Sequence, residues 1–126
     1  MFLTSCSGLA HAGEEITIHA IDKTTPKMLS HPKKAEDVTL VGDLRTIPMS
    51  GAKTTIQSTN YGQVILFSPM LLDMKDIKQL DALEAAHTYV KVTGRMLTLC
   101  SEKELRADVL GCRWMDSTKT ITIQKN

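Results

Sequence analysis

The chain of 126 residues has little of what marks several large classes of protein. Aromatic residues make up only 4% of it, so a platform of rings on which nucleic-acid bases stack is not expected. Fifteen basic residues are balanced by 14 acidic ones, and this formal net charge of +1 excludes the basic field that drives non-specific nucleic-acid binding. No stretch approaches the run of about 18 apolar residues that predicts a membrane-spanning helix.

Motifs of the common catalytic centres are also missing. The chain has no G-x-S-x-G elbow, no P-loop and no H-E-x-x-H pair. It has no C-x-x-C, and no histidine is close in sequence to Cys100 or Cys112, so a zinc site is not expected. We therefore predict no catalytic residue, no metal site and no cofactor. A small hydrolase that uses His19 or His87 at an unrecognised site is an alternative hypothesis.

The first fourteen residues contain two incomplete export signals. Ala10-His11-Ala12 has the small-x-small pattern of a signal-peptidase site, and Leu3-Thr4-Ser5-Cys6 resembles a bacterial lipobox, whose cysteine is lipidated. The positively charged start is missing and the apolar stretch is short. We interpret residues 1–14 as a truncated signal or lipoprotein leader, with Cys6 as the lipidation candidate, or as a disordered cytosolic N-terminus. Residues 15–126 then form a single small domain.

The cysteine count supports export. Three cysteines are present, and removal or lipidation of Cys6 accounts for the odd one. Cys100 and Cys112 would then form a disulfide around a loop of about a dozen residues. The alternative is two unrelated cysteines buried in the core. A disulfide points to the periplasm, an outer-membrane lipoprotein or a secreted protein.

Periodicity indicates a chain made mostly of strands. Alternation of apolar and polar residues, or a continuous apolar run, predicts strands at residues 15–21, 37–47, 53–59, 63–67, 88–100, 109–115 and 119–125. An apolar stripe predicts a helix over 73–87, with Asp73 as its N-cap. Ser101 and Glu104 match a capping box, which predicts a short second helix. The lysine-rich stretch 22–34 contains two prolines and predicts a loop.

The core is expected to take one face of each strand and the stripe of the main helix. Along the strand at 37–47, Val38, Leu40 and Leu44 share a face. The seven methionines are interpreted as adaptable core residues, including Met70, Met74, Met96 and Met115.

Two glycines fall in the middle of alternating strands. Gly42 and Gly94 occupy positions where glycine marks a bulge, a bend or a close backbone approach. From residue 37 the order is three strands, a helix and two strands, which resembles the oligonucleotide/oligosaccharide-binding (OB) fold, a five-stranded Greek-key barrel. The resemblance implies a mostly β barrel of five to six strands, with the helix between the third and fourth strands. An open α+β sheet with one packed helix is the alternative.

Four residues are candidates for exposed contacts with a ligand or partner: Lys53, Tyr61, Arg95 and Trp114. Ligands of the OB fold lie across its second and third strands, and the polar strand at 53–59 would be the second. Trp114 next to Arg113 offers a ring and a cation that could stack on a sugar or a base.

These features favour a binding function over catalysis. The leading hypothesis is a non-enzymatic interaction module of the bacterial envelope or the secreted space, with a protein or a glycan as partner. Homo-oligomerisation would add avidity to weak single sites. The alternative from another class is a cytosolic OB protein that binds single-stranded nucleic acid.

Overall fold

The structure is a computed structural model that describes residues 15–18, 31–49, 51–107 and 109–126. The interpretation of residues 1–14, with Cys6, falls outside the described residues, as do residues 19–21 of the first predicted strand and most of the loop predicted at 22–34. The elements, numbered in chain order, are β1 (Ile16–Ile18), β2 (Lys34–Pro48), β3 (Ala52–Ser58), β4 (Gly62–Phe67), a 3-10 helix (Pro69–Leu71), α1 (Met74–Ala85), β5 (Tyr89–Thr98), α2 (Glu102–Arg106), β6 (Arg113–Met115) and β7 (Ile121–Lys125).

The seven strands of the described residues form one sheet in the order β1-β7-β5-β2-β3-β4-β6, and β6 also pairs with β5. Five strands thereby form a ring of pairings, β5-β2-β3-β4-β6, while β7 and β1 extend the sheet outward from β5. Neighbours in the ring are antiparallel except β4 and β6, which pair in parallel at Ile65 and Trp114. The prediction of a mostly β fold with one main helix is confirmed.

Strand β2 takes part in both halves of the ring. Its residues 34–43 pair with β5, and its residues 42–48 pair with β3. The changeover falls at Gly42, where an added Cβ atom would lie 1.9 Å from the carbonyl oxygen of Gln57. A side chain of any size would displace the β3 backbone at this point. The expectation of a close backbone approach at this mid-strand glycine is therefore confirmed.

The hydrophobic core follows the periodicity of the strands. Val38, Leu40 and Leu44 are buried on β2 and alternate with more exposed residues. Residues 64–67 of β4 are all buried, as the continuous apolar run predicts. On β2 the inward face therefore coincides with the face that the alternation predicts.

Two of the four methionines named as core residues are not in the core. Met96 and Met115 are each 1% exposed, but Met70 and Met74 are 82% and 64% exposed. Met70 lies in the 3-10 helix that follows β4, and Met74 is the first residue of α1. Both precede the helical turns that reach the core, so the core interpretation is wrong for these two.

Helix α1 lies between β4 and β5 in the chain and begins at its predicted N-cap. The carboxylate of Asp73 accepts a hydrogen bond of 2.9 Å from the backbone N–H three residues later. Leu80 is buried in the core, and two further residues of the predicted stripe pack against it. The carboxylate of Glu84 accepts hydrogen bonds from the hydroxyl and backbone N–H of Thr46, at 2.7 and 3.2 Å. These contacts attach the helix to β2.

The strand predicted at 109–115 is shorter than expected and begins only at Arg113. Val109 and Leu110 are 46% and 54% exposed instead of paired. Gly111 has a φ of 87°, which lies outside the extended region, so strand pairing cannot run through it. Leu110 and Gly111 therefore form a turn before β6.

Candidate functional site

Lys53 and Arg95, two of the four predicted contact residues, lie towards opposite ends of β2. Lys53 of β3 pairs with Ile47 of β2, and Arg95 of β5 pairs with Asp37 of β2. Positions 37 and 47 are about 33 Å apart along an extended strand. Arg95 also forms an ion pair of 3.4 Å with Asp37. These two residues therefore do not belong to one small site.

Trp114 and Arg113 are not brought together as a stacking site. They are consecutive residues of β6, so their side chains leave opposite faces of the strand. The indole N–H of Trp114 donates a hydrogen bond of 2.8 Å to the carbonyl oxygen of Gly111. Trp114 thereby anchors the turn before β6.

Strand β3 turns most of its hydroxyl groups away from solvent. Thr54, Thr55 and Ser58 are 4%, 0% and 8% exposed. The hydroxyls of Thr55 and Ser58 donate to backbone carbonyl oxygens of the neighbouring strands, at 3.1 and 2.7 Å. Lys53 and Gln57 are the polar residues of β3 that remain partly exposed. The Thr-rich composition of this strand thus serves its own packing more than an exposed face.

Tyr61 and Arg113 form a close pair that joins the β3–β4 turn to β6. The guanidinium carbon of Arg113 lies 5.3 Å from the centre of the Tyr61 ring. One of its N–H groups donates a hydrogen bond of 2.7 Å to the carbonyl oxygen of Tyr61. Both residues are half-buried, and the Tyr61 ring packs against the core. The guanidinium is therefore restrained by a cation–π contact and by a hydrogen bond.

A disulfide encloses the chain segment that directly precedes Arg113. Cys100 and Cys112 are bonded, which confirms the predicted bridge, and the backbone N–H of Leu99 donates to the carbonyl oxygen of Cys112 at 2.8 Å. The enclosed segment, called here the disulfide loop, comprises residues 100–112 and contains α2. The predicted capping box is present, with Ser101 and Glu104 each accepting from the other's backbone N–H. These bonds hold a short helix next to Arg113.

One cleft lies between the sheet and the disulfide loop. This glutamine cleft has a volume of about 250 Å³, and its lining includes Gln57, Gln63, Leu105, Leu110 and Arg113. Gln57 on β3 and Gln63 on β4 are directly opposite each other in the ladder. Neither side-chain amide has a hydrogen bond within the part of the chain that the structure describes. Their donors and acceptors are thus available to a ligand.

A second cleft lies on the other side of Arg113. This lysine cleft has a volume of about 380 Å³, and its lining includes Lys33, Lys34, Tyr61, Ser101 and Arg113. Leu105 of α2 also lines both clefts. Arg113 and α2 therefore separate two neighbouring cavities that open beside the same loop.

The charges around the two clefts are unevenly compensated. Lys34 forms an ion pair of 3.3 Å with Glu36. Hydrogen bonds from the backbone N–H and hydroxyl of Ser101 lower the pKa of the Glu104 carboxyl, and the charge of Lys33 lowers it further. Among the described residues, no carboxylate lies within ion-pair distance of Arg113. Arg113 thus carries a positive charge at the glutamine cleft that has no acidic partner among the described residues.

Part of this site could be predicted from the sequence. A turn at residues 59–61 sets Ser58 opposite Gly62, and this register places Gln57 opposite Gln63. Gln57 follows Ile56 and Gln63 precedes Val64, two large apolar residues, so the pleat predicts that both glutamines lie on the outward face. The contact between Arg113 and Tyr61 could not be predicted from local sequence patterns, because the two residues are 52 positions apart in the chain.

Comparison of the chain with protein-family models, curated proteins and solved structures found no match. Within the described residues, no helix is both long and apolar enough to cross a membrane. The same residues contain no group of three or more His, Cys, Asp or Glu side chains placed to hold a metal ion.

Proposed function

We propose that the protein is a non-enzymatic binding module whose ligand lies in the glutamine cleft and contacts Arg113. The observation that carries this proposal is the set of unused polar groups in one concave site: two side-chain amides and a positioned guanidinium without an acidic partner. Concave sites with a few convergent polar groups are where proteins usually bind small ligands or segments of partners. The bridged Cys100 and Cys112 have no thiol to offer as a nucleophile, which also favours binding over cysteine-based catalysis.

The fold supports the same position for the ligand. We propose that the five-stranded ring is a small barrel of the OB type, with α1 between its third and fourth strands. In that fold, ligands lie across the second and third strands and the loops next to them. The corresponding strands here are β3 and β4, and Gln57 and Gln63 stand on them at one edge of the cleft.

For the location of the protein, we propose the bacterial envelope or the secreted space. Disulfides persist in oxidising compartments and are rare in the cytosol of most organisms. The bridge between Cys100 and Cys112 and the export-like pattern of residues 1–14 support this placement. Lipidation of Cys6 belongs to the same proposal, and the mass of the protein purified from its native cells tests it.

A retention experiment tests the binding function. The immobilised protein is exposed to envelope and culture-medium extracts and compared with the double variant Gln57→Ala, Gln63→Ala. A matched variant, Gln79→Ala, removes an amide from α1, on an element that does not line the cleft. We expect a component retained by the wild type and the control to be lost with the double variant. Equal retention by all three folded proteins would place binding elsewhere and contradict the proposal.

A further inference from the structure

We infer that the glutamine cleft takes an extended peptide segment in which an apolar residue is followed by an acidic one, so the partner is a protein. This inference rests on the proposed binding function and names its ligand class. It has three supports in the cleft: the paired amides of Gln57 and Gln63, the aliphatic wall of the disulfide loop, and the guanidinium of Arg113.

The two amides match the backbone of a peptide. Each carries an NH₂ group that can donate to a peptide carbonyl oxygen and a carbonyl oxygen that can accept from a peptide N–H. Residues directly opposite each other in a ladder have Cβ atoms about 5 Å apart, so Gln57 and Gln63 offer two such groups side by side. An extended segment laid across β3 and β4 can use both.

The disulfide loop supplies the apolar part of the site. Leu105, Val109 and Leu110 are its aliphatic residues that line the cleft. Val109 and Leu110 are 46% and 54% exposed, although both are large aliphatic residues. An apolar side chain of the ligand would cover part of these side chains and remove them from water.

Arg113 selects the charge of the ligand. One of its N–H groups is bonded to the carbonyl oxygen of Tyr61, and no carboxylate of the described chain pairs with it. Its remaining N–H groups form a planar fork that fits the two oxygens of a carboxylate. Since the cation–π contact and the hydrogen bond to Tyr61 already restrain the guanidinium, a ligand carboxylate meets a cation that needs little ordering.

A glycan fits the same cleft less well. The flat apolar face of a sugar ring is best matched by a flat aromatic face, and no aromatic residue lines the glutamine cleft. The ring of Tyr61 does not line this cleft, and Arg113 lies over one of its faces. The aliphatic side chains that are present match a branched or linear aliphatic residue of a peptide instead.

The test is an NMR titration of the full chain labelled with ¹⁵N. The probes are acetyl-Ala-Leu-Glu-Ala-amide and two matched peptides in which Gln or Lys replaces Glu. We expect the acidic peptide to shift the side-chain amide signals of Gln57 and Gln63 and to bind at least about threefold more tightly than the Gln peptide. The variant Arg113→Gln should abolish this preference, whereas Lys91→Gln, an exposed cation on β5, should keep it. The spectra themselves report whether each variant is folded.

Two results would overturn the inference. The first is equal affinity for the acidic, neutral and basic peptides, which would show that Arg113 does not select charge. The second is the absence of shifts with any peptide at about 10 mM, which is about tenfold above a dissociation constant of 1 mM. If glucuronic acid then shifts the same glutamines, the peptide inference fails while the binding function stands. If no probe binds and the double glutamine variant retains the same extract components, both fail.

Discussion

Gly42 and Gln57 approach so closely that a Cβ atom on the glycine would lie 1.9 Å from the carbonyl oxygen of the glutamine. The contact falls where β2 exchanges β5 for β3 as its pairing partner. The same backbone carries the side chain of Gln57, which lines the glutamine cleft. A glycine required by the fold therefore also sets the position of a residue in the candidate site.

The first prediction concerns the two mid-strand glycines. Gly42→Ala should destabilise the protein by about 3 kcal/mol or more, because the new methyl group meets rigid backbone. Gly94→Ala should cost about 1 kcal/mol, since its methyl group would lie 2.9 Å from the terminal carbon of the flexible Met115 side chain. Urea unfolding of both variants measures the difference. Similar losses in the two variants would contradict the close approach at Gly42.

The second prediction concerns the disulfide loop. Replacing Cys100 and Cys112 together by alanine should lower the free energy of unfolding by ~3 kcal/mol, the value that the chain-entropy model gives for a loop of this length. Denaturant unfolding of the wild type with and without reductant provides the comparison. The reductant should leave the alanine variant unchanged. A wild type that is equally stable in both conditions would show that the bridge does not form.

The third prediction concerns the capping box. Hydrogen bonds from Ser101 lower the pKa of Glu104 in the folded protein below its unfolded value. The charged carboxylate therefore adds stability above the unfolded pKa, and this contribution is lost as the pH falls through the folded pKa. Glu104→Gln keeps a capping side chain but does not titrate. The stability difference between wild type and variant should be constant near neutral pH and shrink in acid. A difference that grows in acid would contradict the capping geometry.

Much of the fold was predictable because its signals are local. Alternation along β2 depends only on the pleat, and the caps at Asp73 and Ser101 depend on residues three positions away. The bridge between Cys100 and Cys112 followed from the cysteine count and the export-like start. Each of these inferences needs only short stretches of chain or a simple tally.

The candidate site was less predictable because it depends on contacts between distant segments. Tyr61 was a candidate by itself, but its partner Arg113 was expected to act with Trp114, its neighbour in sequence. Strand alternation separates those two side chains. The polar strand at 53–59 was expected to contact the ligand, but its Thr55 is buried, and the hydroxyl bonds a backbone carbonyl oxygen. The sequence shows that a residue is polar, but it does not show which group accepts its hydrogen bond.

The last prediction separates the structural and binding roles of Tyr61. Its ring packs against the core and under Arg113, and its hydroxyl has no hydrogen bond among the described residues. Tyr61→Phe should therefore change stability by less than about 0.5 kcal/mol. Tyr61→Ala should cost about 2 kcal/mol through lost packing and lost stacking of the guanidinium. Thermal and urea unfolding of the two variants measure these effects.

The NMR signal of Arg113 decides whether that loss comes from the pair itself. Protons held over an aromatic ring are shifted by its ring current, so the Arg113 side-chain signals should be displaced in the wild type and in Tyr61→Phe. They should return to ordinary values in Tyr61→Ala. If the signals are ordinary in all three proteins, the guanidinium does not stack on Tyr61 in solution. Arg113 would then be free to rotate. We would expect the preference of the glutamine cleft for an acidic ligand to be weaker, because binding would have to order the guanidinium.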